Sequence, residues 1–232
     1  YMESRVTVGN GNQEMSIDEG TLASGNPVTN VTLTIEPGTQ IKGQTGSFAN
    51  LIITRGSKIM AEGTAAAPIV FSSDDAGFDG SGGWGGNEIN GISLIGVGSG
   101  TEMEYIQVNA NADDGIEFYG GNVSVRYMVL TGNQDDSVDW DEGWSGNLQF
   151  VLVDQGPDAT GNVIEADTEG TLDFLSLPTI ANATFIGGGS NATGAVFKAT
   201  SGGFIHHSVF TYDDAFTAEM TCVDASRAAQ VA

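Results

Sequence analysis

Two acidic pairs that recur at a fixed interval carry the clearest chemistry in this chain. In ADDGIEFYGG, Asp113 and Asp114 precede an apolar residue, an acid and an aromatic, and in QDDSVDWDEGW, Asp135 and Asp136 do the same 22 residues later. Carboxylates gathered at such spacing are hard oxygen donors, and calcium, which accepts about six to eight of them in flexible geometry, is the cation they suit. The expected ligand set for a structural Ca2+ is Asp113, Asp114, Asp135 and Asp136, joined by Asp139 and Asp141 or by backbone carbonyls. No EF-hand loop, with its alternating ligands, glycine and terminal glutamate, occurs in the chain. The competing reading is a solvated acidic edge that discourages edge-to-edge aggregation.

Catalysis makes stricter demands. Asp114 and Asp136 could serve glycoside hydrolysis if their carboxyl groups stood ~5 to 9.5 Å apart. A calcium-dependent lyase would add a basic residue to take the proton α to a uronate carboxylate. Seven basic residues are available, and Arg126 is the nearest to the acidic pairs along the repeat. Its simpler role is a surface ion pair with Glu104, 22 residues earlier. His206 and His207 are neighbours on a strand and diverge, one toward the core and one toward solvent, so they form no metal site by themselves. No catalytic residue is assigned.

These side chains need a scaffold that brings distant residues together. The apolar anchors Ile92, Ile116, Val138 and Ile164 stand 24, 22 and 26 residues apart, and Val108, Leu130 and Val153 keep the same rhythm at 22 and 23. Short alternating strands repeated at this interval, without helical periodicity, are the mark of a β-solenoid in which each coil buries its apolar face against the next. The expected fold is all-β, a right-handed parallel β-helix with coils of about 18–26 residues. In the N-terminal part TLTIEPGTQIKG (32–43) overlays LIITRGSKIMAEG (51–63), with Ile41 on Ile59, as an 18-residue coil.

Stacked coils place equivalent residues ~4.8 Å apart. With the anchors inside, Ser93, Glu117, Asp139 and Glu165 form one outward column, and Asn90, Asp114, Asp136 and Asn162 form another whose end amides can ladder. Like charges at ~5 Å cost roughly 1 kcal/mol in water and several times more at lower dielectric, so the columns call for a cation or for raised pKa values. By the same logic Ile106, Met128 and Val151 point inward, and Tyr105, Tyr127 and Phe150 form an outward aromatic column. Such rings stack on sugars or anchor protein contacts. Trp144, in a glycine-flanked turn, is expected to be accessible and joins this ligand-binding set, whereas Trp140 is in phase with Phe118 and belongs to the core. In a competing reading the loop 168–178, with Leu172, Phe174, Leu175 and Leu177, folds back over the column.

The bulk numbers agree with a solenoid. The 232 residues support one domain, and 34 glycines against 16% charged residues favour turns over long helices. A net charge of −23 repels nucleic acid and makes cations the natural partners. Cys222 is the single cysteine, so no intrachain disulfide forms. No apolar run reaches the ~20 residues of a transmembrane helix, and no signal peptide pattern begins at Tyr1, so the chain reads as soluble and mature.

The segments TLTIEPGTQIKG, LIITRGSKIMAEGTAAAPIVFSS, NEINGISLIGVGSGTEMEYIQV, ADDGIEFYGG and NQDDSVDWDEGWSGNLQF resemble a group of bacterial surface or exported β-helix proteins of the pectate-lyase-like superfold, over residues 28–210. In that group the Trp-Gly-Gly motif, here Trp84 to Gly86, leads into a long glycine-rich insertion, whereas here Asn87 follows at once. The glycine-histidine-glycine and arginine-x-lysine elements of β-helical pectin hydrolases are missing. The resemblance implies a β-helix domain over 1–232, with an N-terminal cap at 1–27, coils over 28–222 carrying the loop insertion 168–178, and a tail at 223–232. It also implies an extracellular or cell-surface bacterial setting. Three roles follow as expectations. The first is a non-enzymatic structural, adhesive or carbohydrate-binding role, calcium-stabilised, with a polysaccharide or cell-surface partner. The second is a polysaccharide lyase or glycoside hydrolase acting on acidic polysaccharide. The third is a subunit of a surface fibre, self-assembled end to end or laterally.

Overall fold

Alternating apolar residues separated by tight turns fold into short strands that wind in one direction. The computed structural model describes residues 1–11, 20–47, 49–54, 56–74, 90–157, 159–168, 175–188, 193–198, 201–212 and 220–222. The described strands are β1 (Val6–Val8), β2 (Thr32–Ile35), β3 (Gln40–Gly43), β4 (Leu51–Ile53), β5 (Lys58–Glu62), β6 (Ile69–Ser73), β7 (Ile92–Val97), β8 (Glu102–Asn109) and β9 (Ile116–Gly121). They continue as β10 (Ser124–Thr131), β11 (Val138–Asp141), β12 (Asn147–Asp154), β13 (Ile164–Ala166), β14 (Thr179–Gly187), β15 (Ala195–Phe197), β16 (Phe204–His206), β17 (Val209–Tyr212) and β18 (Met220–Cys222).

One sheet runs β1-β4-β7-β9-β11-β13-β15-β18, so the chain leaves it and returns one position further on at each turn. The second sheet is built from the strands traversed in between, in the order β16-β14-β12-β10-β8-β5-β2, with β3, β6 and β17 beside this path. Neighbouring strands pair in parallel throughout the middle coils. This is a parallel β-helix. Ile92, Ile116, Val138 and Ile164 are Cα partners in one row, as the interval predicts. Val108, Leu130 and Val153 form the matching row in the second sheet. Both rows are fully buried and belong to one apolar core that runs from Val8 to Phe197. Burial at ~25 cal/mol per Å² of apolar surface is the main stabilising term for such a stack.

The N-terminal register differs from the sequence overlay. Leu33 pairs with Ile59, and Ile41 pairs with Phe71. Ile41 and Ile59 therefore lie in different rows, and the coils there are longer than 18 residues. The overlay matched a strand that follows the corner of the second sheet with one that precedes it. Both are short and alternating, and their turns differ in length. Further on, Ala195 rather than Val196 is the partner of Ile164.

The long strands of the second sheet turn a corner in mid-course. Tyr105, Tyr127, Phe150, Asn182 and His207 all have φ between 50° and 58°, one residue per coil. At this bend the pairing skips one residue, so Arg126 pairs with Glu104 and Met128 with Ile106. A left-handed residue reverses the direction of the pleat at the cost of about 1–2 kcal/mol for a non-glycine side chain. Gly63 begins the column, and a Cβ there would come within 2.6 Å of the Tyr105 carbonyl oxygen.

Part of the expected organisation falls outside the described residues: Trp84 to Asn87, Leu172 and Phe174, and the tail 223–232. In loop 168–178 the described part turns along the inner end of the first sheet. The Ser176 and Thr168 hydroxyls bond at 2.6 Å, and the Leu177 amide donates to the Trp144 carbonyl at 2.9 Å. Leu175 and Leu177 border a hollow with Gly96, Gly121, Gly143 and Ser145, away from the aromatic column. Among the described residues no helix is long and apolar enough to cross a membrane.

Candidate functional site

The acidic columns come together on the outer face of the first sheet. Register places Ser93, Glu117, Asp139 and Glu165 in one row across β7, β9, β11 and β13. Period-two alternation puts Ile95, Tyr119, Asp141 and Asp167 in the adjacent row of the same face. Asp114 and Asp136 precede these strands by two residues, at the turn.

A specific backbone task holds the turn carboxylates. Asp114 Oδ1 accepts the amide of Asp136 at 3.0 Å, and Asp136 Oδ1 accepts the amide of Asn162. Each coil thus caps the next through the same side-chain position. The end asparagines do not ladder with one another. Asn90 Nδ2 donates to Glu117 Oε2 and Ser93 Oγ, and Asn162 Nδ2 donates to Glu165 Oε1 at 3.4 Å. Lys198 pairs with Glu165.

Two triads result. Carboxylate oxygens of Asp114, Glu117 and Asp139 lie within 4.8 Å of one another, and so do those of Asp136, Asp139 and Glu165. A third group, Asp113, Asp114 and Asp135, sits at the turn, where Asp135 is exposed. Asp139 belongs to both inner triads. Its Oδ1 is closed off from solvent and accepts no hydrogen bond. Of the six expected metal ligands, Asp113, Asp114, Asp135, Asp136 and Asp139 fall in these groups. Asp141 does not; it stands two residues along the strand from Asp139, ~7 Å away, and its Oδ1 accepts the Glu142 amide at 2.6 Å. Glu117 and Glu165 complete the triads, and their signal was the column they share with Asp139.

Burial dominates the electrostatics. Desolvation, reinforced by Asp139, Asp136 and Glu117, raises Asp114 well above the carboxylate range. Asp139 is raised in the same way, by burial and then by Glu117, Asp136 and Glu165. Glu117 is pushed up to about 7 by burial, against the hydrogen bonds of Tyr119 and Asn90. Asp136 is also pushed up to about 7, by burial and Glu165, against the Asn162 amide. A solvated acidic edge would leave these groups near their ordinary values.

The other expected sites divide. Tyr105 and Tyr127 stack with ring centroids 4.3 Å apart and 8° between planes, and Tyr127 and Phe150 follow at 4.9 Å and 9°. The column therefore exists, and Phe150 is 42% exposed. The faces of its inner rings lie against each other, which leaves ring edges and the outer face of Phe150 for a ligand. Trp144 is not accessible. It is 0% exposed, stacks on Phe118 at 3.8 Å, and donates Nε1 to the Val123 carbonyl at 3.1 Å. The turn around it brings in glycine because of close approach: a Cβ on Gly146 would meet the Val123 oxygen at 1.8 Å and the indole nitrogen at 2.5 Å. His206 and His207 are both exposed, since the corner at His207 turns that residue out as well. Arg126 pairs with Glu104 on the second sheet.

Comparison with known proteins agrees with this architecture. No curated protein matches the chain. Among solved structures the chain is similar to one from Parabacteroides merdae described as a "putative glycosyl hydrolase", with 10% identity, 82% of this chain and 84% of that chain covered, and a TM-score of 0.24. At that level the likeness supports no functional argument. A family model described as pectate-lyase-like beta helix domain matches residues 21–87 and 85–220. With two continuous parallel sheets, coil-by-coil register and a match over most of its length, the chain belongs to the pectate-lyase-like β-helix family.

Proposed function

We propose that this is an extracellular or cell-surface bacterial β-helix protein with a non-enzymatic structural, adhesive or carbohydrate-binding role, and that the acidic face of its first sheet holds calcium. The observation that carries this reading is the Asp139 carboxylate, unpartnered at Oδ1 and within reach of four other carboxylates. Buried like charges are costly without compensation, and a hard dication supplies it. Carboxylates from successive coils, with backbone carbonyls and water, match calcium's coordination preference better than that of the smaller, geometrically stricter magnesium.

The non-enzymatic part rests on the cations. Lys198 stands at the acidic face and is already bound to Glu165, while Lys42, Lys58 and Arg126 belong to strands of the second sheet. A proton-abstracting base is therefore lacking among the described residues of this face. A carbohydrate partner would meet the edge of the aromatic column, where Gln107, Val129 and Leu152 stand beside the rings.

A second reading has its own support. Glu117 and Asp136, both near 7, are in the range a general acid needs, which favours glycoside hydrolysis as the alternative. Thermal melting in excess calcium against excess chelator tests the cation. We expect a higher midpoint with calcium, worth about 2.7 kcal/mol at a hundredfold excess over Kd; an unchanged midpoint removes the calcium reading. Incubation with acidic and neutral polysaccharides separates the roles. Retention without new reducing or unsaturated ends supports a binder, and new ends support the hydrolase or lyase.

A further inference from the structure

We infer that the acidic face holds two calcium ions rather than one, stacked along the helix axis and bridged by Asp139. This inference rests on the calcium reading above and goes beyond it in stoichiometry, position and coupling.

The geometry comes first. The triad Asp114, Glu117 and Asp139 draws on the coils of β9 and β11, and the triad Asp136, Asp139 and Glu165 on the coils of β11 and β13. Each triad therefore lies in its own gap between coils, and the two gaps are one coil rise apart, ~4.8 Å. Asp139, in the middle coil, is the member common to both. A carboxylate has two oxygens and can give one to each ion. Its buried Oδ1 without a hydrogen bond is the feature expected of a ligand atom awaiting a cation. By contrast, Asp114 and Asp136 each commit one oxygen to a backbone amide and offer the other.

Charge gives a second, independent count. When ionised, Asp114, Glu117, Asp136, Asp139 and Glu165 carry five negative charges, and Lys198, bound to Glu165, returns one. Two dications neutralise the remainder. One ion would leave two uncompensated charges in a face where burial already resists ionisation. Asp135, which is exposed, and Asp113 and Asp141, which are half-buried, share their charge with solvent and do not enter this count.

Bridging makes the two sites dependent on each other. Occupation of one gap ionises and orients Asp139 for the other, so the second ion meets a formed ligand. It also faces the repulsion of the first. Loss of Asp139 should then weaken both ions, whereas loss of Asp114 or Glu165 should weaken one.

The test uses the full chain, stripped with chelator and exchanged into metal-free buffer. Calcium titration by calorimetry and native mass spectrometry should give two ions per chain. Asp114→Asn and Glu165→Gln should each retain one, and Asp139→Asn should lower affinity for both at least tenfold. Circular dichroism of each variant verifies folding. A measurement free of mutation guards against variants that do not fold: the wild-type chain loaded with equimolar terbium and europium should show terbium-to-europium energy transfer, as two ions a few ångströms apart require. A single calcium per chain, or two ions without energy transfer, overturns the bridged pair and leaves the calcium reading standing. No bound calcium overturns both.

Discussion

Asp114 and Asp136 illustrate how one residue type can serve folding and chemistry together. Each accepts an amide from the next coil with one oxygen while its other oxygen faces the acidic triads. The fold benefits from the hydrogen bond, and burial makes the charge expensive. That balance predicts an unusual pH response in calcium-free protein. Glu117 and Asp136 are held near 7 in the fold, against ordinary values of 4.5 and 3.8. Groups whose folded pKa is raised bind protons more tightly in the fold, so their contribution to stability is full below about pH 4 and is lost as pH rises toward 7. Asp114 and Asp139 act in the same direction. Asp74, pulled down to about 2 by the Tyr1 hydroxyl and Thr45, acts oppositely, but only below its ordinary value of 3.8. In chelator, the urea midpoint should therefore be higher at pH 5 than at pH 7.5, by an amount on the order of a few kcal/mol, and Glu117→Gln should flatten the slope. A midpoint that rises between these two values would contradict the burial of this cluster. The columns themselves were legible in the sequence, because a constant interval places Glu117, Asp139 and Glu165 in one row. Ligand choice was less legible: adjacency along the chain favoured Asp141, while proximity across coils selects Glu117 and Glu165. Only the depth of the face, which sequence alternation does not report, distinguishes them.

At the scale of elements, the corner of the second sheet joins a strained backbone to a favourable stack. Tyr105, Tyr127 and Phe150 occupy left-handed positions that glycine or asparagine fill more easily, and Asn182 does so in the following coil. The rings compensate through face-to-face contact, worth about 0.5–1.5 kcal/mol per pair beyond area burial. Tyr127 is the middle ring, so its two contributions can be separated. Tyr127→Ala keeps the strain and loses both stacks, and should destabilise by about 1–3 kcal/mol. Tyr127→Gly loses the same stacks but relieves the bend, and should be less destabilising than alanine, by up to ~1 kcal/mol in chemical denaturation. Alanine equal to or better than glycine would mean that the bend carries no strain. The outward direction of this column was readable from Ile106, Met128 and Val151 on the inside. The positive φ was not, since aromatic residues give no hint of a left-handed turn. The same blindness to turn geometry misplaced Ile41 over Ile59, because variable corners break the interval in the first coils. Trp144 was misread for a related reason: its flanking glycines signal room for the indole to fold inward as readily as an exposed turn.

For the whole molecule, the side-chain rows connect each coil chiefly to its neighbours, so stability grows by addition along the axis. The carboxylates of the proposed cation site are drawn from the coils of β9, β11 and β13, in the interior of the stack. Calcium there would fasten central coils to each other and raise the cooperativity of unfolding. A net charge of −23 adds long-range repulsion that salt screens and dications neutralise locally. The 22-residue step from Ile116 to Val138 is free of insertions and matches residue for residue up to Asp141 opposite Tyr119. Excising residues 116–137 would therefore join Gly115 directly to Val138 and give a shorter protein whose strands still meet their partners inside-in and outside-out. Removing 21 residues instead would shift the pleat by one and turn a core row toward water. The first truncation should melt as a single folded species by circular dichroism, and the second should not fold. Length in this molecule is thus quantised, and evolution or an engineer can change it only in whole units.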